Sequence, residues 1–138
     1  MPPVSDWWFL TKRKNFVKLF PESGETLENL RKNGIKLGLL SNSTRFIVMT
    51  VLNHFKLRKY FEVVMTMNDV KRRKPDPEMV LKACKKLNIN PKNAVIVGDT
   101  KNDMIAGNRA GCVTVGYRIK GNYRINDLKE IIKFVSIK

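Results

Sequence analysis

The chain has 138 residues, 43% of them hydrophobic, which is enough for one domain with a core of its own. Its 27 lysines and arginines outnumber 12 aspartates and glutamates, giving a net charge of +15. No apolar run approaches the roughly 20 residues that a bilayer requires, and WWFL near the start lacks the small-residue cleavage site of a signal peptide. Cys84 and Cys112 form no CxxC, so the expectation is a cytoplasmic protein with two buried free thiols and neither a membrane span nor a disulfide framework.

Residues 1–20 hold both tryptophans and the cluster Lys12-Arg13-Lys14 without a clean period, and read as a helix or linker. ETLENLRKN (25–33) places Leu27 and Leu30 on one face, and Gly34 stops that helix. IKLGLLS (35–41) is an apolar run of strand length. Residues 44–57 carry Phe46, Ile47, Val51, His54 and Phe55 at helical spacing, with His54 expected to be partly buried, and FEVVMT (61–66) is a second strand. In Asp76-Pro77-Glu78 the aspartate suits an N-cap, the proline a first helical position and the glutamate the positive end of the helix dipole. That helix runs to about Leu87, AVIVG (94–98) is a third strand, 103–110 a short helix and CVTVG (112–116) a fourth strand. NDLKEIIKFV (126–135) closes the chain with Leu128, Ile131, Ile132 and Val135 on one face.

Strands that are apolar throughout and alternate with helices predict an α/β, Rossmann-like parallel sheet with helices on both faces. Such sheets bind ligands at the carboxyl ends of their strands. The chain supplies Ser41-Asn42-Ser43 after the first strand, Lys71-Arg72-Arg73-Lys74-Pro75-Asp76-Pro77 after the second, and Gly98-Asp99 with Asp103 after the third. Each part suits a phosphate ester. Amides and a serine hydroxyl after a strand donate to phosphoryl oxygens, a lysine neutralises phosphoryl charge, and carboxylate oxygens suit magnesium, which keeps several waters. Gly98 permits a sharp turn before Asp99.

In that order, Ser41-Asn42, Lys74-Pro75-Asp76-Pro77 and Gly98-Asp99-Thr100-Lys101-Asn102-Asp103 resemble the haloacid dehalogenase (HAD) superfamily of phosphohydrolases, and within it the phosphoglycolate phosphatase-like subgroup. Pro21 to Leu30 is similar to the segment that returns from the family's cap, and the resemblance covers about residues 21–117. It implies that Ser41 and the Asn42 amide bind the phosphoryl group, that Lys74 steadies it, that Asp99 ligates Mg2+ and that Asp103 supports the metal directly or through water. It also implies a core domain over 21–138, preceded by a basic aromatic segment over 1–20 that could be the remnant of a cap. Receiver domains of response regulators place their acidic pair before the hydroxyl and the lysine, so the order here argues against them.

The family's reaction begins with an aspartate on a first strand, in a DxDx(T/V) pattern. This sequence has no such pattern: Asp6 in PPVSDWWF follows no strand-like run, and Trp8 stands two residues later. The nucleophile is therefore expected to be absent and the first strand missing from the middle of the sheet, between the strands ending at Ser41 and Asp99. About ten ladder bonds worth about 1 kcal/mol each would go with it, comparable with a domain's whole stability of about 5–15 kcal/mol. Three resolutions are open: a complementary chain carrying that strand, direct pairing of the two orphaned strands, or WWFL as a substitute. The expected function is magnesium-dependent hydrolysis of a small phosphate ester by a truncated or split form that is inactive alone. The alternatives are a non-catalytic interaction module of the same fold and a basic protein that binds nucleic acid, non-specifically if at all, through Lys12–Lys14 and Lys71–Lys74.

Overall fold

The computed structural model describes residues 23–134; the 1–20 segment and WWFL lie outside them. Helix α1 is Ser23–Lys32, and its buried Leu27 and Leu30 are the pair that the spacing predicted. It ends at Gly34, whose φ of 77° is open to glycine at no steric cost. Strand β1 (Gly38–Leu40) leads to α2 (Arg45–His54), which Thr44 caps by accepting from the Ile47 N–H. Lys56 then turns left-handed, and α2 stops short of the expected residue 57. His54 is exposed instead of partly buried, its ring edge-on to Phe55 at 4.7 Å.

Strand β2 (Val63–Met65) is followed by α3 (Glu78–Leu87), β3 (Val95–Gly98), α4 (Lys101–Ala110) and β4 (Val113–Tyr117). Pro77, immediately before α3, already has helical backbone angles (φ −76°, ψ −3°), as the first helical position expected of it requires. The Asp76 carboxylate still accepts from the Glu78 N–H at 2.9 Å. A fifth strand, β5 (Tyr123–Ile125), was not expected: it is three residues long, and its Tyr123 and Arg124 are exposed, so it carries no apolar run. The closing segment is a 3-10 helix over Leu128–Phe134 where a regular amphipathic helix was predicted; Leu128 and Ile131 are buried, and Val135 lies outside the described residues.

Among the described residues all strand pairs are parallel, and the strands form two sheets, β1-β2 and β3-β4-β5. Side-chain alternation sorts the core into layers. Leu39 and Val64 meet α1 and α2, while Leu40, Val63 and Met65 meet α3. Val97 and Val115 meet Leu30 of α1, Ile125 of β5 and the terminal 3-10 helix, while Ile96 packs toward α3 and α4. Helices thus cover both faces, as the α/β Rossmann-like reading requires.

Between β1 and β3 no ladder runs, so the direct pairing of these strands held open above does not occur. A cavity of about 520 Å³ takes its place, walled by Gly38 and Leu40 of β1, Val95 and Val97 of β3, Leu30 above and Cys84 and Leu87 below. In a parallel ladder alternate residues turn their peptide groups to each neighbour. Ser41 N–H donates to Met65 C=O, and Val113 N–H donates to Ala94 C=O. By that alternation Gly38 and Leu40, and opposite them Val95 and Val97, turn their peptide groups to this side, where the Leu40 carbonyl is already met by the Lys74 ammonium at 3.2 Å.

Candidate active site

The three sequence motifs meet at the carboxyl edge of the sheets. Ser41 follows β1 directly and is fully buried; its Oγ accepts from the Ser43 N–H at 3.1 Å, which curls the loop back on itself. Asn42 turns its side chain toward the next motif. Its Oδ1 accepts from the Lys74 N–H at 3.1 Å, and its Nδ2 donates to the Lys74 carbonyl at 3.2 Å. The side chain is thus spent on the lysine, and the backbone N–H of Asn42 is the amide with which it could meet an anion.

Lys74 is 5% exposed, although the three cations before it are exposed. Its ammonium donates to the Leu40 carbonyl at 3.2 Å and to Asp103 Oδ1 at 2.5 Å. A buried ammonium needs a counter-charge and hydrogen-bond acceptors; Asp103 supplies the charge, and the two partners take two of its three donors. The Lys74–Pro75 peptide is cis. Glu78 holds the run that precedes it, its carboxylate accepting from the Lys71 and Arg72 N–H groups at 3.1 and 3.0 Å. The Lys71 N–H bond, the Lys82 side chain and the Arg72 N–H bond together keep the Glu78 carboxyl below its usual range.

Asp103 is 1% exposed and sits in the first turn of α4. Thr100 and Asp103 form a reciprocal capping box: Thr100 Oγ1 accepts from the Asp103 N–H, and Asp103 Oδ2 accepts from the Thr100 N–H and hydroxyl. The sequence reading gave Thr100 no role of its own, although Thr-x-x-Asp before a helical run is a legible capping signal. Both Asp103 oxygens are therefore engaged, one by Lys74 and one by Thr100. Gly98 is required here for space, because a Cβ at that position would overlap the Asp103 side chain. Asp99, half-buried, stands at the end of β3 on the same edge.

The donor set bears on a metal. Among the described residues no group of three or more His, Cys, Asp or Glu side chains is placed to hold an ion. Two carboxylates on one sheet edge, with Asp103 already bonded through both oxygens, fit a hard cation held by few protein ligands and several waters. The two cysteines are free and buried, as expected, with Cys84 on α3 and Cys112 just before β4. Burial first, and the neighbouring Cys84 second, push the Cys112 thiol up to about 12, which disfavours the reactive thiolate. Among the described residues no helix is long and apolar enough to cross a membrane.

Comparison with known proteins agrees with this geometry. The family profile described as haloacid dehalogenase-like hydrolase matches residues 7–117. The pyrophosphatase PpaX of Oceanobacillus iheyensis is 34% identical over 91% of this chain and 64% of its own length. The phosphoglycolate phosphatase of Escherichia coli K12 is 37% identical over 76% of this chain and 42% of its own length. The chain thus spans between about two fifths and two thirds of the length of these relatives. Among solved structures, a HAD-superfamily hydrolase of subfamily IA from Geobacter sulfurreducens superposes with a TM-score of 0.78 at 34% identity, covering 84% of this chain and 55% of that one. A HAD phosphatase from Thermococcus onnurineus gives 0.81 at 28% identity, covering 94% and 70%.

Proposed function

We propose that this chain, which belongs to the haloacid dehalogenase-like hydrolase family and within it to the phosphoglycolate phosphatase-like group, carries the phosphate- and metal-binding part of a site that hydrolyses a small phosphate ester. The observation that carries this reading is the buried Lys74–Asp103 pair at the sheet edge, with the Ser41 loop on one side and Asp99 on the other. A lysine is buried at such a position at considerable cost, and the return is a fixed cation where phosphoryl charge would gather.

The roles follow from what each side chain has free to give. Ser41, through its hydroxyl, and Asn42, through its backbone N–H, would donate to phosphoryl oxygens. Lys74 would neutralise the phosphoryl group and the attacking carboxylate. Asp99 would ligate Mg2+ directly, and Asp103, with both oxygens engaged, would reach the metal through water. Bound there, magnesium would offset negative charge on the phosphoryl group.

The attacking aspartate is assigned to a strand from outside residues 23–134. Support for that assignment is the cavity between β1 and β3, whose walls are apolar and whose two long sides are strand edges. Peptide groups turned to an apolar cavity call for peptide partners, and a strand in this place would end between Ser41 and Asp99. The partner read from this geometry is a complementary segment ending in a DxDxT-type motif.

The test mixes the chain with a peptide of that pattern and follows magnesium-dependent hydrolysis of p-nitrophenyl phosphate alongside thermal unfolding. Both should rise together. A strand that fills the site should lift the midpoint by about 10 °C, since each kcal/mol is worth about 4 °C in a domain of this size. Lys74→Ala should remove the hydrolysis more completely than the stabilisation. Robust hydrolysis by the chain without the peptide would falsify the missing nucleophile, and stabilisation without hydrolysis would favour a non-catalytic module of the same fold.

A further inference from the structure

Four cations stand in a row at 71–74, and the fold buries one of them. Lys71, Arg72 and Arg73 are exposed, and Lys74 is not. Hydration favours all four outside, and a slip of one residue would bring Arg73 to the site in place of Lys74. Something must therefore fix which residue of the run turns inward.

Several contacts hold the run, among them the turn around Lys74 and Pro75 that the Asp76 N–H closes on the Arg73 carbonyl at 3.0 Å. Glu78 takes the N–H groups of Lys71 and Arg72 and so ties the start of the run to α3. The inward residue itself is gripped by Asn42, which meets both main-chain groups of Lys74 with one planar amide. Asparagine is suited to this because a single side chain holds an acceptor and a donor side by side. The other end of Lys74 is held by the Leu40 carbonyl and by Asp103. Residues 40 and 42 thus secure the ammonium and the backbone of the same lysine, and Ser41 lies between them.

We infer that Asn42 is a positioning residue: its side-chain amide sets the register of the basic run, so that Lys74, and not its neighbours, enters the site and moves as one unit with the Ser41 loop. This rests on the phosphohydrolase reading for its purpose, but the positioning is measurable without any hydrolysis. An aspartate at 42 would keep the acceptor for the Lys74 N–H and lose the donor to its carbonyl. Alanine would lose both.

The experiment is a time course of lysine acetylation on the intact chain, read peptide by peptide in a mass spectrometer. Alkylation of Cys112, a buried thiol of the core, reports global opening in the same samples. In the unaltered chain Lys74 should react far more slowly than exposed Lys71. In Asn42→Ala the Lys74 rate should rise about tenfold, the order expected when two hydrogen bonds are lost, while Cys112 keeps its protection. Asn42→Asp should fall between the two. Unchanged protection of Lys74 in Asn42→Ala overturns the inference. So does a joint rise of Lys74 and Cys112 in both variants, because Asn42 would then hold the fold in general. If Asn42→Ala alone opens globally, Asn42→Asp decides: Lys74 must become reactive ahead of Cys112. None of these outcomes depends on the complementation result, so failure here leaves the hydrolase reading standing.

Discussion

The β1–β2 sheet has two margins, and the chain treats them differently. At the outer margin the Val64 carbonyl points away from β1 and is met by the Arg45 guanidinium at 3.0 Å. Arg45 also pairs with Asp69, which in turn closes a capping box with Thr66. A charged side chain over an exposed strand is a common way to stop edge-to-edge pairing. At the inner margin, β1 and β3 face each other across an apolar cavity, and no ladder joins them among the described residues. Among the described residues one edge is covered by Arg45 and the other faces the cavity. The edge that faces the cavity is also the one that leads to Ser41 and Asp99, with the Lys74 ammonium on the Leu40 carbonyl.

The largest effect that separates the margins comes from a matched pair of prolines in β3. Val95 and Ile96 are adjacent, β-branched and half-buried. By the alternation of the ladder the Ile96 N–H turns to β4 and the Val95 N–H to the cavity. Ile96→Pro should cost about 3 kcal/mol or more in urea unfolding. Val95→Pro, on an open edge, should cost about 1 kcal/mol or less, yet should abolish stabilisation by a strand peptide. Equal costs would mean that the inner edge of β3 is already satisfied, and the contrast would collapse.

Much of this was legible in the sequence because it is local. Apolar runs bounded by Gly34 and Gly98 marked strands, and the three-residue spacing of Leu27 and Leu30 marked α1. The three site motifs were legible because each lies just after a strand, where a parallel sheet gathers its strand ends. Less was legible where a side chain reaches across the chain. Nothing within a few residues of Asn42 reveals that its amide pairs with Lys74, 32 positions away. The same holds for Arg45, which reads as one more cation in a basic protein until Val64 and Asp69 are placed beside it. Strand β5 escaped for a different reason: as an edge strand of three residues with two of them exposed, it carries little of the apolar signal that identifies strands.

Removing the outer cover should have a smaller effect than the prolines. Arg45→Ala loses one hydrogen bond to a carbonyl and an ion pair that is partly exposed. Exposed pairs contribute little, so the stability loss should be about 1 kcal/mol. The more telling consequence is association. With the Val64 carbonyl uncovered, β2 becomes an edge that another copy can pair with, and sedimentation should show concentration-dependent self-association absent from the parent chain. A monomeric Arg45→Ala with unchanged stability would mean that the guanidinium covers nothing of consequence.

The smallest effect is the pH dependence of that same cover. Burial alone would raise the Asp69 carboxyl, but the Thr66 N–H, the Arg45 guanidinium and the Thr66 hydroxyl outweigh it and hold it below the usual aspartate range. A carboxyl whose pKa is lower in the folded state binds fewer protons there than in the unfolded state. Its contribution is therefore complete above the unfolded value, about 3.9, and is lost as the pH falls through the lower folded value. Stability measured from pH 6 downward should stay flat from this source until about pH 4 and then decline. Asp69→Asn should remove that part of the decline while lowering the plateau, and Arg45→Ala should remove part of it, because the Thr66 bonds remain. If both variants decline in parallel with the parent chain, the acid sensitivity arises elsewhere, and the outer margin owes its cover to Arg45 on Val64 without help from the charge of Asp69.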